Sequence, residues 1–323
     1  MQHFAKDVLR VTDQSVFKDS FLSDVLDGLR QPQKEIFSKY LYDRRGSELF
    51  ERITELDEYY PTRTEIGIMR TFQEEIDDAL GPRAFVVEYG SGSSTKTRLL
   101  LDRLVDPVGY VPIDISDEHL IDSARSIAQD YPHIEVLPLI ADYTARMQLP
   151  RPTRKPDRVV VYFPGSTIGN FDVDQARDFL GHVAEVCGKG GGLLIGVDLV
   201  KDVGVLERAY DDTEGVTAEF NLNLLKRINR ELGADFNLDA FEHTAPWNES
   251  MQRIEMHLRS LRAQVVQIGG QRFEFDQDET IHTENSHKFT IGGFADLARP
   301  WFRQVHVWTD EREYFSLQYL TAG

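Results

Sequence analysis

Along the first 80 residues, apolar side chains recur three and four positions apart. Phe17, Phe21, Leu22, Val25, Leu26 and Leu29 share one helical face, and Ile66, Met69, Phe72 and Ile76 share another after Pro61-Thr62-Arg63. Asp57-Glu58-Tyr59-Tyr60-Pro61, between them, reads as a loop ended by proline. From Ala84 the period changes. Residues 84–88, 109–113, 134–140, 158–163 and 193–197 are short apolar runs, and residues 97–104 and 116–128 are helical stretches, the second with Ser116 as its N-cap. Strands alternating with helices predict an α/β fold with a parallel sheet covered on both faces.

After Asp198 the alternation stops. Residues 216–232 read as a long helix, and 250–261, 264–268 and 273–275 as antiparallel strands. A helix at 294–298 and strands at 305–308 and 315–320 return the chain to the first sheet. No repeat, low-complexity tract or Pro/Gly/Ser-rich linker divides the chain, so a second domain has to be built by insertion or by wrapping its ends. The expected division is a nucleotide-type domain at 62–198 plus 287–323, and a smaller α+β domain at 1–61 plus 199–286.

Ligands of such sheets bind beyond the carboxyl ends of the strands, where the strand order reverses. The first strand ends in Glu88-Tyr89-Gly90-Ser91-Gly92-Ser93, the second at Asp114 and the third at Asp142. Gly90 and Gly92 let a ligand approach the backbone, Asp114 is placed to accept from a ribose diol, and Asp142 sits where an adenine amino group would lie. Thr95 stands at the third position of the dinucleotide fingerprint and there is no Walker lysine motif. The E-x-G-x-G form, with Glu88, Asp114 and Asp142 at successive strand ends, is instead the pattern of S-adenosylmethionine sites.

Composition narrows the partners. The 323 residues include 36 Lys+Arg and 54 Asp+Glu, a net charge of −18, which repels nucleic acid and anionic lipid. The fourth strand ends in Phe163-Pro164-Gly165-Ser166, not the N/D-P-P-Y of nucleic-acid methyltransferases. Cys187 is the only cysteine, so an intrachain disulfide and a cysteine zinc site are excluded and a reduced compartment is expected. The nine histidines form no zinc constellation, and His282 and His287, five apart, would face opposite sides of a regular strand, so no metal is expected. No apolar run approaches 18 residues, and Met1-Gln2-His3-Phe4-Ala5-Lys6-Asp7 lacks a signal-peptide layout. The expectation is a soluble cytoplasmic monomer acting on a small molecule, away from membranes and nucleic acid.

Longer strings carry more information. They are Tyr42-Asp43, Gly46-Ser47, Leu49-Phe50, Glu58-Tyr59-Tyr60-Pro61-Thr62-Arg63, Gly90 to Thr97, Phe163 to Asn170, Asp198-Leu199-Val200-Lys201-Asp202 and Ala209-Tyr210-Asp211-Asp212. Gly215-Val216-Thr217-Ala218, Arg253-Ile254-Glu255-Met256 and Thr283-Glu284-Asn285-Ser286-His287-Lys288-Phe289 follow. In this order, from about Tyr42 to the C-terminus, the chain resembles the histidine-specific Nα-methyltransferase family of ergothioneine biosynthesis. The resemblance implies a class I methyltransferase sheet with a substrate-recognition domain. It also implies three methyl transfers from S-adenosylmethionine to the α-amino group of L-histidine, giving hercynine.

By position, the family's cofactor contacts fall on Gly90, Lys96, Asp114, Asp142 and Tyr143. Its histidine contacts fall on Tyr59, Asn170, Tyr210, Glu284 and Ser286, with Tyr42 and Met256 lining the pocket and Gly165 beside the reacting amine. The chemistry of these side chains agrees. Asn170 and Tyr210 can donate to a carboxylate, Glu284 can accept from an imidazole N–H, and Ser286 can serve the other ring nitrogen. Met256 offers an adaptable wall, Tyr59 can hold or relay a proton, and the faces of Tyr42, Phe50 and Tyr59 suit a quaternary cation. Tyr59, Asn170 and Gly165 are therefore the expected catalytic set. Asn285, between two inferred contacts, is expected to point away. Methylation of another amino acid on the same scaffold, or a non-catalytic sensor of the same two ligands, are the competing readings.

Overall fold

The computed structural model describes residues 9–14, 20–92, 95–115 and 117–323; Phe17, Ser93 and the expected cap Ser116 lie outside them. Its main sheet runs, from one edge, Thr12–Asp13, Leu139–Ile140, Gly109–Asp114, Ala84–Tyr89, Arg158–Phe163, Gly192–Asp198, Phe315–Ala322, Phe302–Thr309, with Glu135–Val136 also on Gly109–Asp114. Phe315–Ala322 is antiparallel to both its neighbours, and the other pairings are parallel. This is the class I methyltransferase arrangement expected from the sequence. Every residue of Ala84–Tyr89 and of Gly192–Asp198 is buried, because helices cover both faces. Phe179, Leu180 and Val183 of helix Val173–Cys187 close one face, and Leu100, Leu101 and Ile127 the other. The strand order reverses between Ala84–Tyr89 and Arg158–Phe163, so the ligand crevice opens beyond Tyr89 and Phe163.

A third core lies beside that crevice. It joins helices Phe21–Leu29, Arg44–Glu55 and Val216–Leu232 to one face of a five-stranded sheet ordered Trp247–Asn248, Arg253–Ser260, Thr280–His287, Lys34–Glu35, with Phe241–Thr244 also on Arg253–Ser260. Strict alternation along Arg253–Ser260 buries Ile254, Met256 and Leu258 and turns Arg253, Glu255 and His257 outward. Its partner is less regular. Met256 pairs with Glu284 but His257 pairs with His282, which leaves Thr283 unmatched in a one-residue bulge. The Thr283 hydroxyl donates to the Met256 carbonyl there, at 3.0 Å.

Several local expectations are corrected. Pro61 starts a helix instead of ending a loop: helix Tyr60–Thr71 carries it in the first turn, where a missing N–H costs nothing. The apolar face from Ile66 to Ile76 spans two helices, Tyr60–Thr71 and Gln73–Leu80, which break at Phe72. The third strand splits into Glu135–Val136 and Leu139–Ile140 around Pro138, which has no N–H to donate. The helix after the glycine turn is Thr95–Leu101, not 97–104. Thr12–Asp13, in the span expected to belong to the smaller domain, pairs with Leu139–Ile140 and covers an otherwise open sheet edge.

Candidate active site

Strand Arg158–Phe163 runs out through Pro164 into two consecutive left-handed residues, Gly165 (φ 77°) and Ser166 (φ 58°). They turn the chain into the short helix Thr167–Asn170. Two contacts fix this turn. The Gly165 N–H donates to Glu65 Oε2 at 2.9 Å, and the Asp198 N–H donates to Ser166 Oγ at 2.9 Å. Gly169 then lies against strand Thr280–His287, where a Cβ would come within 2.8 Å of the His287 carbonyl oxygen. That close approach brings Asn170 to Glu284, with Nδ2 donating to Oε1 at 2.9 Å.

The result is a cavity lined by Tyr42, Phe50, Tyr59, Gly165, Asn170, Tyr210, Met256, Glu284 and Ser286. All nine positions inferred for the amino-acid pocket and for catalysis therefore converge. Ile53, Ser166, Thr167, Ala209, Thr217 and Phe220 complete the wall, and Asn285 is absent from it. The aromatic rings meet edge to face: Tyr42 with Phe50 at 5.6 Å, Phe50 with Tyr59 at 6.1 Å, Tyr59 with Tyr210 at 6.1 Å. Burial, reinforced by nearby acidic and phenolic groups, pushes the Tyr42 and Tyr59 hydroxyls well above their ordinary range. Both stay protonated near neutrality, so the Tyr59 oxygen can accept a hydrogen bond or relay a proton but does not serve as a phenolate base.

The polar groups of the wall bond to one another. Tyr210 OH and Ser286 Oγ are 2.6 Å apart. Behind them, Lys288 Nζ donates to Tyr210 OH at 3.0 Å and to Ser286 Oγ at 2.6 Å, and pairs with Asp198 Oδ2 at 2.8 Å. Asp198 also accepts from Tyr60 OH at 2.7 Å and from Lys201 Nζ at 2.5 Å. Burial works against the Asp198 carboxylate, but Lys288 and Lys201 outweigh it and hold its pKa below the usual range. Lys201 and Asp202 thus divide two tasks: Lys201 pairs with Asp198, and Asp202 caps helix Val203–Tyr210 by accepting from the Val205 N–H at 3.1 Å. Glu284 goes the other way. Burial raises its carboxyl to about 7, against the pull of Lys288, Asn170 and Tyr42.

The cofactor-side residues gather at the adjacent strand ends. Among the described residues, only the Tyr143 ring stands near the flank of Gly90 (φ 72°), 4.0 Å from where a Cβ would lie, and Gly92 has φ 34°. Tyr143 stacks on Tyr89 at 5.5 Å and 16°. Burial, with Asp114, Asp142 and Glu284 close by, raises its hydroxyl pKa, so this ring stands between the strand-end acids and the amino-acid pocket. Asp142 Oδ1 accepts from the Thr144 N–H at 2.9 Å, which holds the carboxylate at the rim. Glu88 is placed differently from expectation. Its Oε2 accepts from Thr97 Oγ1 at 2.7 Å and from Tyr110 OH, and burial raises it to about 7. It braces the glycine turn from below instead of facing the crevice. Open backbone at Gly90, two strand-end carboxylates, a flat ring and the Lys96 ammonium fit a nucleoside that carries a charged amino-acid tail.

Sequence reasoning missed Glu65 and Lys288. Glu65 is fully buried and takes Lys96 Nζ at 2.5 Å on the same oxygen that holds Gly165, tying the cofactor side to the pocket wall. Its spacing was a signal: Glu65 is four residues from Pro61 and from Met69 on the buried face of its helix.

Comparison with known proteins agrees with this geometry. The family model for histidine-specific, SAM-dependent methyltransferases matches residues 21–322. The histidine N-alpha-methyltransferase of Mycolicibacterium smegmatis is 44% identical over 301 residues, covering 91% of this chain and 92% of that protein. The protein of the same description from Mycobacterium tuberculosis is 42% identical over 303 residues, with 91% and 92% covered. Ergothioneine biosynthesis protein 1 of Neurospora crassa is 37% identical over 199 residues, 60% of this chain and 22% of that longer protein.

Proposed function

Because the chain belongs to the family of histidine-specific, S-adenosylmethionine-dependent methyltransferases, we propose a role for each part of its site in that reaction. The protein is a histidine Nα-methyltransferase of ergothioneine biosynthesis, and its product is hercynine, reached by three transfers. The observation that carries the assignment of roles is the buried Glu284 carboxyl, bonded to Asn170 inside an aromatic cavity that the Gly165 turn helps to line.

Glu284 accepts from the imidazole N–H, and Ser286 serves the second ring nitrogen. An amino acid without a ring N–H leaves Glu284 buried and unpaired, which is a strong basis for rejection. Tyr210 and Asn170 exchange their internal partners for the substrate carboxylate and amine. Asp114, Asp142, Gly90, Gly92, Lys96 and Tyr143 hold S-adenosylmethionine, with Glu88 supporting the turn. That group supplies an electrophilic methyl on a sulfonium sulfur. The chain's part is to present an uncharged amine in line with it. A peptide's α-amino group titrates near pH 8 (roughly), and that of free histidine sits higher because its own carboxylate favours the ammonium, so the site has to help the amine shed a proton before it attacks. The Tyr59 oxygen and the Gly165 turn orient the lone pair. As methyls accumulate, the amine's hydrogen bonds give way to contact with the rings of Tyr42, Phe50 and Tyr59.

In this reading residues 62–198 plus 287–323 carry the cofactor, and 1–61 plus 199–286 recognise histidine, with Thr12–Asp13 lent to the main sheet. The protein works as a cytoplasmic monomer, without metal or nucleic acid. The net charge of −18 speaks against a nucleic-acid partner, and no helix among the described residues is long and apolar enough to cross a membrane. The test is incubation with S-adenosylmethionine and an equimolar mixture of the twenty amino acids, read by mass spectrometry. Trimethylated histidine is the expected product. A different methylated amino acid overturns the role given to Glu284. Binding of both ligands without release of S-adenosylhomocysteine turns the reading into a sensor.

A further inference from the structure

We propose that Lys288 makes the pocket selective for a substrate bearing a free carboxylate, acting as a positioning residue through Tyr210 and Ser286. The inference rests on the histidine reading above and adds a residue to it.

The first argument is a proton inventory. Lys288 follows strand Thr280–His287, and its side chain is fully buried. An ammonium has three N–H donors and no acceptor. All three are committed, to Asp198 Oδ2, Tyr210 OH and Ser286 Oγ. Both hydroxyl oxygens therefore accept from Lys288. Tyr210 and Ser286 are also 2.6 Å apart, which commits one of their two protons to the bond between them. One O–H is left, and the cation behind leaves it one direction, into the cavity that both residues line. The wall there is a donor.

The second argument is charge. Asp198 contributes one negative charge, and Lys201 and Lys288 contribute two positive ones, at side-chain exposures of 0%, 3% and 0%. Burial pulls both ammonium groups down, Lys201 to about 8, against the hold of Asp198, so near neutral pH the cluster carries up to one net positive charge away from water, where screening is weak. Tyr60 is a neutral donor to Asp198 and accepts from Lys201, which also donates to the Leu199 carbonyl and feels the Asp310 carboxylate. Glu284 stands two residues before Ser286 on the same strand, roughly 7 Å along it. The pocket is therefore bipolar, with an acceptor at Glu284 and, at Tyr210, a donor backed by positive charge for the carboxylate, while Ser286 turns to the second ring nitrogen when histidine binds. An amino acid with a ring N–H at one end and a carboxylate at the other matches that polarity. A carboxamide of the same shape offers the acceptor oxygen but not the charge.

The test compares L-histidine with L-histidinamide as methyl acceptors, in the parent protein and in Lys288→Met. Binding of S-adenosylhomocysteine reports folding. The parent should prefer histidine by tenfold or more in kcat/KM. K288M should lose at least tenfold of that preference, chiefly through the KM for histidine, while S-adenosylhomocysteine affinity stays within twofold. A merely structural lysine would lower both substrates alike, and that result overturns the proposal. Lys201→Met also neutralises the cluster but leaves both hydroxyls in place. It should move the preference the same way by a smaller factor, and it decides the matter if K288M does not fold; an unchanged preference in K201M then overturns the proposal. A parent that methylates histidine with no preference over the amide overturns this inference alone. A parent that does not methylate histidine overturns the functional reading beneath it.

Discussion

Replacing Glu284 with glutamine keeps the side-chain volume and an acceptor oxygen for Asn170 but removes the charge. In the folded protein, burial raises this carboxyl from 4.5 to about 7. At 1.36 kcal/mol per pH unit, that rise is about 3 kcal/mol of preference for the neutral form. The folded value lies above the unfolded one. The stabilising contribution is therefore complete below about pH 4.5 and is lost as the pH rises through about 7. At pH 8 the parent carries a cost of up to about 3 kcal/mol that Glu284→Gln lacks. The variant should come within about 1 kcal/mol of the parent near pH 5 and melt several degrees higher at pH 8. Its histidine KM should rise on the order of 10- to 100-fold, because a charge-assisted hydrogen bond to the imidazole contributes about 1.5–3 kcal/mol. The assays are thermal melts of the ligand-free protein from pH 5 to 8.5, and steady-state kinetics with histidine varied. A variant less stable than the parent by the same amount at every pH would refute the account of Glu284 as a carboxylate held at a cost for recognition. An unchanged KM would remove it from specificity.

Other consequences follow from neighbouring contacts. Lys96→Met should destabilise the fold by roughly 3 kcal/mol, because it leaves the buried Glu65 charge without its ion pair; adding Glu65→Gln should restore most of the lost Tm, and a double variant no better than the single one would argue against that pairing. Asp114→Ala should weaken S-adenosylhomocysteine binding by about tenfold or more if its carboxylate accepts from the ribose, and titration calorimetry showing unaltered affinity would assign the ribose elsewhere. Cys187 is buried and its thiol is pushed up to about 12, so a thiol reagent should leave the native protein unmodified and react only after unfolding; rapid labelling of the native protein would contradict its placement against strand Gly192–Asp198.

The main sheet was readable because its strands are short apolar runs that end in chemically marked residues, Gly90, Asp114 and Asp142. The pocket was readable only through the ordered strings, since Tyr59, Asn170 and Glu284 have no shared periodicity and come from three separated segments. What stayed hidden depends on tertiary partners. Glu65 occupies a core position of its helix because Lys96 and Gly165 satisfy it from other elements. Lys288 follows a strand and looks like a solvated end, yet Asp198 from the main sheet makes its burial tolerable. Pro61 and Pro138 were visible, but one starts a helix and the other splits a strand, and only the neighbouring backbone decides which.

The unmatched Thr283 has a meaning for how such a protein can change. Before it, the odd-numbered Ile281 faces inward; after it, the even-numbered Glu284 and Ser286 do. A strand without the slip would carry Glu284 and Ser286 out on the side of His282. The single extra residue therefore works as a splice between two texts written in opposite parity. The upstream text answers to packing and the downstream text to the ligand, and a substitution in one leaves the reading frame of the other intact. Substrate preference can then drift by exchanging letters downstream of Thr283, while the loss of one residue at the splice would erase recognition altogether without removing any of the side chains that perform it.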